Sequence, residues 1–186
     1  MKKLKKAISV IMAIVCLGAL SGCSSNGNNL PMEERQFYLP HSSKSKLTDD
    51  KDDIIKKEGL KLTKGYNDKP AYSKDKVAIN EVLYDIEMSF YEDGKMAHIF
   101  YHSQGENDAN AYDEEFDDTV EYFREVYGEE SIYNNTETDS KAEWSFFAED
   151  EKEYSITLSN NRYIYDNPEY NYSSLMISVF APIQFE

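Results

Sequence analysis

The chain has 186 residues and a formal charge of -15, from 35 acidic against 20 basic side chains. Such a field repels phosphate backbones and anionic lipid, which makes nucleic acid the least favoured partner, and it attracts cations or basic partners at a distance. Hydrophobic residues make up 40% of the sequence, and the length is enough for one core.

The N-terminus opens with Met1-Lys2-Lys3-Leu4-Lys5-Lys6, and Ala7 to Leu20 then carry no charge. A basic segment followed by an apolar one is the pattern of an export signal. A spanning helix needs about 20 apolar residues, and this shorter run ends in Ser21-Gly22, so residues 1–22 read as a signal that is removed and not as an uncleaved anchor helix. Its end, Leu20-Ser21-Gly22-Cys23, resembles the lipobox of bacterial lipoproteins. The resemblance implies that the Cys23 thiol takes a diacylglyceryl group, that the bond before Cys23 is cut, and that the new amino group can be acylated too. It covers only the first 25 or so residues and implies nothing about the rest. The alternative for Cys23 is a free thiol or half of a disulfide. Loss of the signal also removes Cys16, so no intramolecular bridge remains for it. Two acyl chains hold a protein on a membrane where one is marginal. Taking the four signal lysines from -15 leaves a mature charge of -19.

From Ser24 to Gly59 the sequence is rich in Ser, Asn, Lys and Asp, as in Asp49-Asp50-Lys51-Asp52-Asp53. That composition predicts a flexible tether over residues 23–59, because it offers too little apolar surface to offset the entropy of ordering. Leu30, Phe37, Tyr38, Leu39, Ile54 and Ile55 stand out against it, and a short helix is conceivable near Asp53 to Glu58. The folded domain is expected over 60–186, so a chain beginning at Leu60 should fold by itself. From Lys61 onward there are 28 acidic and 10 basic residues, which places nearly all the charge there.

Within that domain, Val82, Tyr84, Ile86, Met88 and Phe90 alternate with Leu83, Asp85, Glu87 and Ser89, the period of a half-buried strand. Asp93-Gly94 then suggests a two-residue type I′ turn, which would set Phe90 opposite Ala97, Met88 opposite Ile99 and Ile86 opposite Tyr101. Phe116, Val120, Phe123 and Tyr127 form the stripe of an amphipathic helix, with acids in its first turn and Gly128 to end it. A polar loop from Glu129 to Ser140 leads to strand candidates at Ala142 to Ala148, Tyr154 to Ser159 and Leu175 to Phe180. Arg162 to Tyr165 either extends the second or forms a short strand, and Asp166-Asn167-Pro168 gives a turn signal. The expected class is α+β: a β-hairpin, one amphipathic helix, then three or more mainly antiparallel strands, with the helix packed on the sheet. No sequence repeat is visible.

Three constellations could carry chemistry. The acids from Glu106 to Asp118 could attract Ca²⁺, yet nothing matches an EF-hand register, and an acidic helix N-terminus explains them better. His98 and His102 share one strand face, with Ser89 opposite His98 and Asp85 opposite His102. Ser89 and His102 would sit at diagonal corners, which defeats a His-Asp-Ser triad, and a zinc site lacks its third and fourth ligands. Tyr163, Tyr165, Tyr170 and Tyr172 form either a contact surface or ordinary strand-face residues. There is no Gly-rich phosphate loop, Cys-x-x-Cys pair or Gly-x-Ser-x-Gly nucleophile motif.

The sequence therefore predicts an extracytoplasmic lipoprotein, anchored to a membrane through Cys23, whose acidic domain binds a protein or envelope partner without a cofactor. The alternatives are an envelope-acting enzyme using His98 or His102, and a cation-binding module. Ser24-Ser25 follow the cysteine where, by resemblance to Gram-negative lipoproteins, an Asp would signal inner-membrane retention, which leaves an outer membrane open. The Lys, Asn, Ile and Tyr-rich composition points to a low-GC Gram-positive organism and the outer face of its cytoplasmic membrane.

Overall fold

The computed structural model describes residues 37–65, 68–136 and 139–181. The fold is α+β and dominated by one antiparallel sheet. Its elements in chain order are α1 (Lys51–Glu58), β1 (Lys61–Lys64), β2 (Pro70–Ile79), β3 (Val82–Phe90), β4 (Met96–Ser103), α2 (Asp113–Tyr127), β5 (Ile132–Asn135), β6 (Asp139–Phe147), β7 (Glu153–Tyr163) and β8 (Tyr172–Phe180). The eight strands run in the order β1-β2-β3-β4-β8-β7-β6-β5. A helix followed by a four-stranded meander thus occurs twice, and the two meanders meet at the β4–β8 ladder. This repetition of architecture has no counterpart in a sequence repeat.

One face of the sheet holds the core. Tyr84, Ile86 and Met88 of β3, Ile99 and Tyr101 of β4, and Ile156 and Leu158 of β7 are all buried. Phe116, Val120, Phe123 and Tyr127 of α2 pack onto this layer, as their spacing requires. Phe123 stands edge-on to Trp144 at 5.3 Å between centroids, and the Trp144 indole N–H reaches the Gly128 carbonyl at 2.9 Å. Gly128 ends α2 at a positive φ of 91°, its N–H on the Arg124 carbonyl. No helix of the described residues is long and apolar enough to cross a membrane.

The expected tether over 23–59 does not hold from Phe37 onward. Phe37, Leu39, Leu47 and Ile54 are at most 3% exposed and belong to the same core as the sheet. Phe37 stacks on Phe146 at 4.3 Å, and the Tyr127 hydroxyl donates to the Tyr38 carbonyl at 3.0 Å. The reason is that a composition average discounts a few apolar residues, whereas burial depends on where each one lands. Residues 23–36, including Cys23, lie outside the described residues.

The β3–β4 register has Ile86 opposite Tyr101 and Met88 opposite Ile99, but Phe90 faces Met96 and not Ala97. The turn is the cause. Gly94 donates to the Tyr91 carbonyl and Tyr91 to the Lys95 carbonyl, which makes a three-residue loop with only Gly94 at positive φ (81°). A type I′ turn needs positive φ at both central residues, and Asp93 does not have it. The two-residue positive-φ turn is instead Asn80-Glu81, at 44° and 72°, between β2 and β3. The polar stretch from Glu129 to Ser140 also departs from expectation, since Ile132 to Asn135 form edge strand β5 against β6.

Candidate functional site

The helices cover one face of the sheet, and the opposite face carries His98 and His102. The predicted pairs are present, with Ser89 opposite His98 and Asp85 opposite His102. The Ser89 hydroxyl lies 2.9 Å from His98 Nδ1, and the His98 ring packs 4.7 Å from Phe100. Burial lowers the His98 pKa, opposed by the charge of Glu87. Asp85 does not serve His102. Its carboxylate accepts the Lys76 N–H at 3.1 Å, which fastens a bulge in β2 where Lys76 takes a φ of 58°. Among the described residues, no group of three or more His, Cys, Asp or Glu side chains is arranged to hold a metal ion.

The acids from Glu106 to Asp118 divide by role. Asp113 accepts from Arg162 at 2.7 Å and from Asn160 at 3.0 Å, with the Arg162 side chain only 4% exposed. Asp117 accepts from Tyr133 and Asn135 of β5. Glu106, Glu114, Glu115 and Asp118 instead line an open cavity of about 550 Å³, joined by Glu81 from the β2–β3 turn and by Tyr112. The Tyr112 hydroxyl donates to the Gln104 carbonyl. A second hollow of about 250 Å³ continues along α2 past Asp118, Glu121 and Glu125. Among the described residues, no basic side chain lines either one.

Beside this groove lies the β7–β8 hairpin. Tyr163, Ile164, Tyr165 and Tyr170 are each at least half exposed and Tyr172 is 38% exposed, so five of the eleven exposed large apolar residues of the described chain fall at the loop end of this one hairpin. A short 3-10 turn over Pro168–Tyr170, capped by the Asn167 side chain on the Glu169 N–H, shapes its tip. Tyr163 and Tyr172 pair across the ladder on the sheet face away from the helices, as the alternation of buried positions in β7 and β8 requires, and this separates them from Tyr154, which lies on the core face and is buried. The ring of Tyr172 lies on Gly105, where an added Cβ would meet ring atoms at 1.9 Å. Backbone bonds between Glu106 and Ser173 tie the groove's rim to β8. Hairpin and groove therefore adjoin at one end of the sheet.

One polar cluster escaped the sequence reading because it sits in the stretch taken for a tether. His41 Nδ1 is 2.9 Å from the Tyr101 hydroxyl, and its Nε2 is 3.3 Å from Glu58 without the alignment of a hydrogen bond. Glu58 Oε1 accepts from Ser42 at 2.7 Å and from Ser45 at 2.5 Å. Burial is the main cause that lowers the His41 pKa to about 4, opposed by Glu58 and aided by Lys74. Burial alone would raise the Glu58 carboxyl, but the two serines, then His41 and Lys74, hold it below its usual value. Glu58, and not His41, accepts from both serine hydroxyls, so the order of groups is not that of a Ser-His-acid relay. The cluster pins residues 41–45 onto the sheet. The signal that could have exposed it is the set of apolar residues flanking it, Phe37, Leu39, Leu47 and Ile54.

No protein-family model, curated protein or solved structure matches the chain.

Proposed function

We propose that this protein is a lipid-anchored extracytoplasmic binding module, held through Cys23 on the outer face of a Gram-positive cytoplasmic membrane, and that its β7–β8 hairpin is the contact surface. The observation that carries the binding role is the concentration of exposed Tyr163, Ile164, Tyr165, Tyr170 and Tyr172 in one hairpin. A tyrosine offers large contact area with a polar tip at low entropy cost, and such groups concentrate at interfaces. Scattered exposed apolar residues would need no explanation, whereas a contiguous set does.

The placement of the chain's entry supports the same reading. Phe37 packs against Tyr127 in the last turn of α2, while Asp113 in its first turn bonds Arg162 beside the hairpin. The 15 residues of α2 separate these points by about 22 Å. Phe37, the first described residue, thus lies toward one end of the sheet and the contact surface at the other. The enzymatic alternative has less support, since Asp85 is engaged by the bulge and His98 by Ser89.

The anchor is tested by intact-mass measurement of the membrane-extracted protein. The expected mass is that of residues 23–186 with acyl groups on Cys23, and Cys23→Ser should leave an uncleaved, unmodified precursor. An unmodified Cys23 in the wild-type membrane protein refutes the anchor.

A further inference from the structure

The hairpin's neighbourhood constrains what it contacts. Asp166 and Glu169 lie within its loop, and Glu106, Glu114, Glu115, Asp118 and Glu81 line the adjoining cavity. The single cation of the hairpin, Arg162, is withdrawn from solvent and spent on Asp113. An anionic membrane or acidic polymer would be repelled here. A partner that covers both features must be apolar or planar at one end and cationic at the other.

We infer that this end of the sheet docks an arginine-rich segment of a protein partner, with guanidinium groups on the hairpin tyrosines and further cations over the groove carboxylates. The inference rests on the binding-module reading above and adds the partner's chemistry. Arginine fits both halves of the surface: its flat guanidinium stacks on aromatic rings and also pairs with carboxylates through two parallel N–H bonds. The protein already makes one such contact internally, with the Arg124 guanidinium 5.7 Å from the Tyr133 ring centroid. The extended form of the groove, from Glu106 past Asp118 to Glu125, suits an extended segment better than a single ion, in keeping with the lack of a compact ligand cluster among the described residues.

The test uses residues 23–186 expressed without the signal and with Cys23→Ser, and two fluorescent probes, decaarginine and decalysine, titrated by anisotropy at physiological ionic strength. Decaarginine should bind the more tightly. Tyr165→Ser with Tyr170→Ser should weaken it about tenfold or more, as should Glu114→Gln with Glu115→Gln and Asp118→Asn. These side chains are at the surface, so unchanged melting temperatures confirm that the variants fold. Neutralising Glu149, Asp150 and Glu153 at the far end of the sheet should change affinity by less than about twofold, because exposed charges separated by more than about 8 Å are largely screened. Equal losses from the two acidic sets, or decaarginine binding that ignores the tyrosines, would overturn the inference by reducing the attraction to bulk charge. A photo-reactive residue at Tyr170 in the lipidated protein on its own membrane separates this outcome from failure of the underlying reading. Cross-links mapped to an arginine-rich stretch support the inference. Cross-links to an acidic or uncharged partner overturn it and leave the binding module standing, and the absence of any cross-link overturns both.

Discussion

Deleting the chain up to Gly59 removes Phe37, Leu39, Leu47 and Ile54, which are 3%, 2%, 1% and 0% exposed. Fully burying such a side chain contributes about 1.5–3 kcal/mol, so the four together represent about 6–12 kcal/mol of transfer free energy. A domain is held by only ~5–15 kcal/mol in total. Ordering the segment has an opposing entropy cost, but its absence also uncovers Phe146, Tyr127 and Tyr101, which it shields. A chain beginning at Arg35 should therefore unfold in urea with one cooperative transition, followed by near-UV circular dichroism and Trp144 fluorescence. A chain beginning at Leu60 should lack that transition. Ile54→Ala in the full mature chain isolates the packing contribution and should cost about 2–5 kcal/mol. If the Leu60 chain shows the same midpoint and slope as the Arg35 chain, residues 37–59 contribute nothing to the fold and the argument from their burial is wrong.

Acid should destabilise the protein through His41. With a folded pKa of about 4 against ~6.5 unfolded, the unfolded state takes up the proton first. Stability is then greatest above the unfolded value and falls as pH drops from ~6.5 toward 4, by up to about 3 kcal/mol. Glu58, held below its usual value, extends the loss to lower pH. Urea midpoints of the wild type should decline across this window while those of His41→Gln decline less, and parallel curves would remove His41 from the account. At the Asn80-Glu81 turn, Glu81 holds a φ of 72°, where a glycine carries no Cβ strain. Glu81→Gly should raise stability by about 0.5–1 kcal/mol, read as a higher melting temperature, and a lower one would show that the turn is not strained there.

Features written in contiguous residues were legible without the fold. The lipobox-like tetrapeptide and the basic-then-apolar run before it are local patterns, as is the stripe Phe116, Val120, Phe123, Tyr127 that α2 buries. The pairing of Ile86 with Tyr101 followed from alternation on both sides of a turn, and it went astray only at Phe90, where loop length depends on backbone torsions that Asp-Gly does not fix. Strand β2 was missed because its inserted residue at Lys76 moves the core-facing side chains from Tyr72 and Lys74 to Val77 and Ile79, which cancels the period of two. Strand β5 was missed because at a sheet edge all four residues are exposed and leave no alternation to read. The four tyrosines were visible in sequence, but their exposure was not, since that depends on which face of the sheet the helices cover and on the loop that joins β7 to β8. What brought the hairpin beside the groove was the docking of residues 104–110 against β8, between Glu106 and Ser173. Residues far apart in the chain become neighbours only when hydrogen bonds and burial can be satisfied together, and so the site belongs to the tertiary structure while its parts belong to the sequence.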